Sequence, residues 1–276
     1  MNKTRKSVIT CIFILILFVI MPGSIVLADN WRKVDDDSWC HDRSSFWSES
    51  VCEVRELTIN ETWENITVDA SPNGSIKVEG WDRDSIQILA RVQVRARSEE
   101  KAREILSEID IETGGNEISA DGPKFWGSEK SWSVSFSIMV PVKSNLKLSA
   151  VNGGISIRDI NGRVKAKTLN GGIVLEKVAG DVDVNTLNGG ITAELDGDRW
   201  QGRGFDARTT NGGIKIEVPE DYSADLEAST VNGGIHIDFP ITVQGWIKKN
   251  IDTKLGEGGA PISLRTINGG VSVDKR

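Results

Sequence analysis

Apolar and polar residues alternate along most of the chain, with the period of two that is typical of half-buried β-strands. The alternation is clear over residues 57–96 and returns over residues 131–148. Between these stretches, residues 98–109 place apolar side chains at helical spacing after Ser98, which can cap a helix. The pattern therefore predicts an N-terminal β region over residues 57–148 that contains one short amphipathic helix.

Residues 149–276 repeat the motif Asn-Gly-Gly followed by a β-branched residue. The motif recurs first after 18 residues and last after 36, and its early copies halve into nonamers such as NGGISIRDI and NGRVKAKTL. Positions four and six of a nonamer are apolar and share one side of a strand, whereas positions five and seven are mostly polar. The predicted turn ladder consists of Asn152, Gly153, Asn170, Gly171, Asn188, Gly189, Asn211, Gly212, Asn232, Gly233, Asn268 and Gly269.

Each nonamer predicts one strand and one corner, so that two nonamers make a flattened coil of about 18 residues. We expect the corner glycines to supply positive φ and the asparagines to form a stacked structural row. The 36-residue step predicts a coil whose Asn-Gly-Gly has been lost or replaced by the insertion around GWIKKNIDTKLGEGG. The last strand predicts an exposed edge guarded by Lys275 and Arg276. A meander of antiparallel hairpins is the alternative architecture. A regular period near 20 residues favours an all-β, β-solenoid-like stack in which neighbouring coils share a core.

The first 28 residues place three basic residues before an apolar run that ends near the small residue Ala28. This arrangement predicts a signal peptide, and the alternative is an uncleaved membrane anchor over Val8 to Ala28. Either interpretation puts the remaining chain outside the cytoplasm.

Residues 29–56 follow as a tryptophan-rich segment. Its two cysteines, Cys40 and Cys52, are an even number of cysteines in an oxidising compartment. They therefore predict a disulfide.

Charge and residue types exclude several function classes. The formal net charge of −7 disfavours nucleic acid as a partner. Positions that would hold aspartate in a calcium-binding nonapeptide roll are apolar here, so the repeat predicts no bound calcium. Two histidines, His41 and His236, do not assemble a triad or a zinc signature, and we predict no catalytic, cofactor-binding or metal-binding residues. The acidic residues that a polysaccharide-cleaving enzyme could use are Asp181, Asp183, Asp196, Asp198 and Asp206, although such residues usually form a solvated face.

Four segments in a fixed order also resemble a known family. They are GSIKVEGWDRDSI (Gly74 to Ile86), the helix EEKAREIL, FSIMVPVKSNLKL (Phe136 to Leu148) and the NGGI series. Over residues 57–276 the chain resembles the exported "putative adhesin" family of unknown function, also described as toastrack domains. The resemblance implies an all-β, solenoid-like domain at the cell envelope, with no catalytic residues to carry over. Some relatives are linked to envelope-stress signalling.

Three functions remain open from the sequence. The first is a non-enzymatic, extracytoplasmic scaffold or adhesin-like protein that binds an envelope protein or polysaccharide and touches the membrane only through Val8 to Ala28, if that segment is uncleaved. The second is an envelope-stress sensor that binds cationic peptides or a membrane partner, and the third is a polysaccharide-active enzyme. The nine tryptophans would suit sugar stacking or membrane docking if exposed, or would cap a thin core if buried.

Overall fold

A computed structural model describes residues 31–34, 39–40, 49–125, 129–240 and 249–276, which form twenty-one strands and one helix. In chain order the elements are β1 (Arg32–Val34), β2 (Glu49–Ile59), β3 (Asn65–Asp69), β4 (Ile76–Trp81), β5 (Ile86–Ala96), α1 (Glu99–Ser107), β6 (Asp110–Gly114), β7 (Glu117–Asp121), β8 (Ser131–Pro141), β9 (Asn145–Asn152), β10 (Ile155–Arg158), β11 (Asn161–Asn170), β12 (Ile173–Glu176), β13 (Ala179–Asn188), β14 (Ile191–Glu194), β15 (Gly202–Asn211), β16 (Ile214–Val218), β17 (Ala224–Asn232), β18 (Ile235–Ile237), β19 (Asn250–Leu255), β20 (Pro261–Asn268) and β21 (Val271–Lys275).

The strands form two facing sheets. The first sheet has eleven strands in the order β1-β2-β5-β8-β4-β10-β12-β14-β16-β21-β18. The second has ten strands in the order β19-β17-β20-β15-β13-β11-β9-β3-β7-β6. Alternate side chains of both sheets point between them, and they form one continuous core that extends from Val51 to Val273. Both sheets run without a break across residue 149, where the sequence suggested a domain boundary.

Seven two-strand coils make up the stack, and each contributes one strand to each sheet. In stacking order they are coil 1 (β3–β4), coil 2 (β9–β10), coil 3 (β11–β12), coil 4 (β13–β14), coil 5 (β15–β16), coil 6 (β20–β21) and coil 7 (β17–β18). Neighbouring coils pair in parallel and in register, as Ile155 pairs with Ile173 in the first sheet and Val164 with Val182 in the second. The predicted all-β, solenoid-like fold is confirmed, and the antiparallel meander is wrong for the stack.

The last two strands of the chain lie inside the stack and not at its end. β20 pairs with β15 on one side and β17 on the other, and β21 lies likewise between β16 and β18. After coil 7 the chain forms the antiparallel edge strand β19 and then returns into the slot between coils 5 and 7. The predictions of a lost coil and of an exposed C-terminal edge are therefore wrong. Lys275 and Arg276 instead bind the carboxylates of Glu220 and Glu194.

A mixed sheet and the helix cover the coil 1 end of the stack. β8 extends the first sheet in parallel from β4, and β5, β2 and β1 follow it as antiparallel strands. The helix begins after Ser98, whose hydroxyl accepts the Lys101 N–H at 3.3 Å, and it buries Ala102, Ile105 and Leu106 against β5 and β2. Within the described ranges, no helix is long and apolar enough to span a membrane. Residues 1–28, where the signal peptide is predicted, lie outside those ranges.

Candidate binding surface

The asparagines of the repeat line one exposed corner of the stack and bind one another. Each side-chain amide donates to the side-chain oxygen of the asparagine in the preceding coil, at 2.8–3.0 Å. The row runs Asn73, Asn152, Asn170, Asn188, Asn211, Asn268 and Asn232. Sequence reasoning missed its first member, Asn73, because the motif there is Asn-Gly-Ser and not Asn-Gly-Gly. Since all donors point the same way, the amides form one continuous polar stripe.

The first glycine of each motif allows the close approach of neighbouring coils. A Cβ atom at Gly171 would lie 2.2 Å from the carbonyl oxygen of Gly153, and one at Gly189 would lie 2.1 Å from that of Gly171. Of these first glycines only Gly269 has a positive φ, and at 159° it is almost extended. The prediction that the corner glycines supply positive φ is therefore wrong for the Asn-Gly-Gly corners, although Gly180, in a nonamer that lacks Asn-Gly-Gly, has a φ of 110°. Their missing side chain, and not their φ, is what the corner requires.

A second row, of buried threonines, locks the same corner. Each threonine hydroxyl donates at 2.8 Å to the carbonyl oxygen of the corner glycine in the preceding coil. The row consists of Thr168, Thr186, Thr209, Thr266 and Thr230. A sequence signal for this row exists, because Thr-x-Asn-Gly-Gly occurs five times, but the threonine was not part of the predicted motif.

A row of apolar side chains stands beside the asparagines on the outside of the second sheet. These residues immediately precede the asparagines and comprise Val151, Leu169, Leu187, Ile267 and Val231, and the row is interrupted in coil 5 by the polar Thr210. Leu169, Leu187, Ile267 and Val231 are 39–57% exposed. The corner strip is defined here as the asparagine row together with this apolar row. It therefore presents a polar row beside an apolar row, and each row repeats from coil to coil at a spacing of about 4.8 Å. A regular apolar strip with a polar border is typical of an interaction surface.

Ion pairs cross the outer face of the second sheet in coils 4 to 7. Arg208 bridges Asp183, at 3.3 Å, and Asp206, while Arg265 bridges Asp206, at 3.4 Å, and Glu227, at 2.7 Å. Burial raises the pKa of Asp206 above its ordinary value and outweighs the opposing attraction of the two arginines. One oxygen of Asp206 is buried and has no hydrogen-bond partner in the part of the chain that the structure describes, which agrees with this direction.

Acidic residues form a row on the outer face of the first sheet. The row contains Glu79, Glu176, Glu194, Glu217 and Asp274, with the basic Arg158 between Glu79 and Glu176. Asp238, whose backbone N–H donates to the Val273 carbonyl oxygen, lies beside Asp274 at the end of the row. Each of its carboxylates already has a cationic or histidine neighbour; for example, Lys215 lies 2.6 Å from Glu217 and 3.4 Å from Asp274. This face is acidic in composition, but its charges are paired at short range.

The five candidate aspartates for catalysis are dispersed and bound to arginines. Asp181 pairs with Arg203, while Asp183 and Asp206 share Arg208 on the open face of the second sheet. The other two pair elsewhere, Asp196 with Arg276 and Asp198 with Arg199. Within the described ranges, the structure does not bring them together in a cleft with a free acid and base.

One group of potential metal ligands joins two strands that are distant in sequence. His236, Asp238 and Asp274 place ligand atoms within 4.8 Å of one another. The His236 and Asp238 side chains are 2.7 Å apart, but Asp274 also accepts from Ser272 and lies beside the Lys215 ammonium. A fixed positive charge next to the third ligand opposes cation binding.

The structure confirms the disulfide between Cys40 and Cys52, whose Cα atoms are 5.7 Å apart. The guanidinium of Arg91, on β5, lies 5.4 Å from the centre of the Trp39 ring and donates to the Trp39 carbonyl oxygen. Trp39, next to the disulfide, is thus held against the outer face of the first sheet. His41 lies outside the described residues.

The described tryptophans mostly serve packing. Trp132 and Trp200 are buried, and their indole N–H groups donate to the carbonyl oxygens of Pro123 and Gly180. Trp31 and Trp63 are partly buried against the core. Trp47, Trp126 and Trp246 lie outside the described residues, so they carry no assignment.

A family model for the Toastrack DUF4097 domain matches residues 133–274, which is just over half of the chain. The chain belongs to the Toastrack DUF4097 family. Among solved structures, it is similar to a "putative cell adhesion protein" from Clostridium sporogenes, with 13% identity, 83% of this chain and 100% of that chain covered, and a TM-score of 0.42.

Two further solved structures resemble this Toastrack protein. A "putative adhesin" from Bacteroides fragilis shows 12% identity, covers 82% of this chain and 97% of its own, and gives a TM-score of 0.39. A "putative adhesin" from Parabacteroides merdae shows 10% identity, covers 81% and 96%, and gives 0.37. No curated protein matches the chain.

Proposed function

We propose that this Toastrack protein is a non-enzymatic, extracytoplasmic scaffold of the adhesin-like kind, associated with the cell envelope. Its corner strip would bind an envelope protein or polysaccharide. The observation that carries the proposal is the exposed apolar row, which includes Leu187 and Ile267, beside a continuous row of asparagine amides. Because parallel ladders and buried threonine hydrogen bonds fix each coil, this surface is rigid and loses little entropy on binding.

Extracytoplasmic location is supported by chemistry. The Cys40–Cys52 disulfide is the kind of bond that persists in oxidising compartments and is rare in the cytosol. The predicted signal peptide over residues 1–28 agrees with that location, and contact with the membrane through Val8 to Ala28 would require this segment to stay uncleaved.

A non-enzymatic role is supported by the arrangement of the carboxylates. Acid–base catalysis needs two titratable groups in contrasting surroundings next to a bound substrate. Asp183 and Asp206 instead share Arg208 on an open sheet face. If the protein were active on polysaccharides, purified chain would release reducing or unsaturated sugar ends, and we expect none.

A sensor of cationic peptides is the second candidate, because the first sheet carries a row of acidic residues. We place it second since those carboxylates, such as Glu176 and Glu217, already pair with cations. Salt-sensitive binding of cationic peptides, together with changed stress-gene output on deletion, would favour the sensor over the scaffold.

The corner strip is tested by neutral substitutions in its apolar row. We expect the double variant Leu187→Gln, Ile267→Gln to lose most of its binding to purified envelope polysaccharide and surface-protein fractions. Val174→Gln is the matched control, because Val174 is 38% exposed but lies on the outer face of the first sheet. Equal binding by the double variant, the control and the unsubstituted chain would contradict the proposal, as would absence of any binding.

A further inference from the structure

Three lysines form a compact patch on the outer face of the second sheet. Lys147 in coil 2 and Lys165 in coil 3 are direct cross-strand neighbours, and Lys167 lies two residues along the same strand as Lys165. All three are exposed, and none has an ion-pair partner in the part of the chain that the structure describes. These residues define the lysine patch.

The patch differs from the rest of this face, where charges in the same rows are paired. In coils 4 to 6 the neighbouring positions hold Asp183, Arg208, Asp206 and Arg265, which form the ion-pair network described above. Like charges directly opposite each other on adjacent strands destabilise a sheet. Lys147 and Lys165 face each other in this way, and the acidic neighbour of Lys165 on its other side, Asp183, is bound to Arg208. An anionic ligand would supply a counter-charge to the patch.

The lysine patch borders a shallow depression of about 340 Å³. Its rim also carries Ser149, Asn185, Asp183 and Arg208. Asp183 is the cross-strand neighbour of Lys165, and its carboxylate is bound to Arg208 at 3.3 Å. Ammonium groups, a hydroxyl and an amide together offer charged and neutral hydrogen-bond donors over an area the size of one or two sugar units. This combination suits a carboxylate on a hydroxyl-rich ligand.

We propose that the lysine patch binds the carboxylate groups of an acidic polysaccharide. The inference rests on the proposed adhesin-like function and names its ligand class. A flat anionic membrane fits less well, because it would press against the whole face, including the carboxylates of Asp206 and Glu227, which lie outside the depression. A polymer chain can contact the patch alone, and many weak contacts along one polymer add up when several protein molecules bind it.

The test compares two triple variants that remove the same charge. Lys147→Gln, Lys165→Gln, Lys167→Gln removes the patch, and Lys101→Gln, Lys124→Gln, Lys254→Gln removes three exposed or partly exposed lysines from other elements. Equilibrium binding of purified chain is measured with polygalacturonate, with neutral dextran and with vesicles of phosphatidylglycerol. We expect polygalacturonate binding to weaken about tenfold in the patch variant and less than twofold in the control variant, since exposed ion pairs contribute modestly but together. Dextran should not bind.

The patch variant should unfold at the same temperature as the unsubstituted chain or slightly higher, because it relieves the repulsion between Lys147 and Lys165. Equal polygalacturonate binding by both triple variants would overturn the inference. Vesicle binding that exceeds polygalacturonate binding, and is lost in the patch variant, would overturn it in favour of a membrane ligand.

The proposed function and this inference fail in different ways. If the patch variant binds envelope fractions as the unsubstituted chain does, while the Leu187→Gln, Ile267→Gln variant does not, the inference fails and the corner strip stands. If the unsubstituted chain binds no envelope fraction, the proposed function itself fails.

Discussion

Replacing a corner glycine with alanine tests how closely the coils approach each other. At Gly189 an added Cβ would lie 2.1 Å from the carbonyl oxygen of Gly171, about 1 Å closer than a carbon and an oxygen can pack. At Gly190, one residue along, the nearest atom would be the Gly213 oxygen at 3.4 Å, and at Gly234 no atom of the described residues lies within 4 Å. All three glycines belong to Asn-Gly-Gly motifs, but they differ in the space available for an added methyl group.

The expected magnitudes follow from those distances. Gly189→Ala must push two backbone segments apart, so we expect it to lower the free energy of unfolding by about 3 kcal/mol, at the upper end for overpacked sites. In a chain of this size that corresponds to a fall of roughly 6–12 °C in the unfolding midpoint. Gly190→Ala should cost less than about 1 kcal/mol. Gly234→Ala should be neutral, or stabilise by about 0.5 kcal/mol because alanine restricts the unfolded chain.

Thermal and urea unfolding, followed by far-ultraviolet circular dichroism with the disulfide intact, would measure all three variants. The predicted order of stability is Gly234→Ala, then Gly190→Ala, then Gly189→Ala. If Gly189→Ala and Gly234→Ala unfold at the same midpoint, the carbonyl contact at the corner does not exist as described and the reasoning is refuted.

Three further predictions concern single side chains. Thr186→Val should destabilise by about 1–2 kcal/mol in urea unfolding, because the buried Gly171 carbonyl loses its hydroxyl donor, and Thr186→Ser should recover most of that loss. Tyr222→Phe should leave stability unchanged or raise it by up to about 1 kcal/mol, because the buried hydroxyl has no hydrogen-bond partner among the described residues; a loss of stability would contradict this. Hydrogen bonds from Arg32, and less strongly from Gln87, hold the pKa of Glu56 below its ordinary 4.5. The contribution of the ionised Glu56 carboxylate to stability is therefore present above about pH 4.5 and is lost as the pH falls through the folded-state pKa. Glu56→Gln should lower the unfolding midpoint near neutral pH and have less effect in acid. A difference in midpoint between the variant and the unsubstituted chain that stays constant with pH would contradict this.

Much of the fold could be predicted because the repeat indicates where each strand and each corner lies. Alternation places Ile155 and Ile157 inward, and both are buried, because a strand exposes successive side chains to opposite faces. The stacking order could not be predicted, since every coil offers the same parallel edge. Strand β20 satisfies its backbone hydrogen bonds equally well beside β15 or beyond β17, so the choice depends on how β19 returns the chain.

The candidate surfaces could be predicted from the sequence only in part. The asparagine row follows from the period, but glycine is compatible both with positive φ and with close approach, and only the neighbouring Gly153 carbonyl decides between them at Gly171. The lysine patch could not be predicted from one strand, because it depends on the register that sets Lys147 opposite Lys165.

Cross-linking within the asparagine row tests the stacking order most directly. Asn211 and Asn268 lie in adjacent coils, with Cα atoms about 4.8 Å apart, whereas Asn211 and Asn232 lie two coils apart, at about 9.6 Å. A disulfide requires roughly 4.4–6.8 Å between Cα atoms. Under mild oxidation, with peptide mapping to separate the new bond from Cys40–Cys52, Asn211→Cys with Asn268→Cys should form a disulfide and Asn211→Cys with Asn232→Cys should not. The reverse result would show that the coils stack in chain order and would contradict the intercalated C-terminal coil.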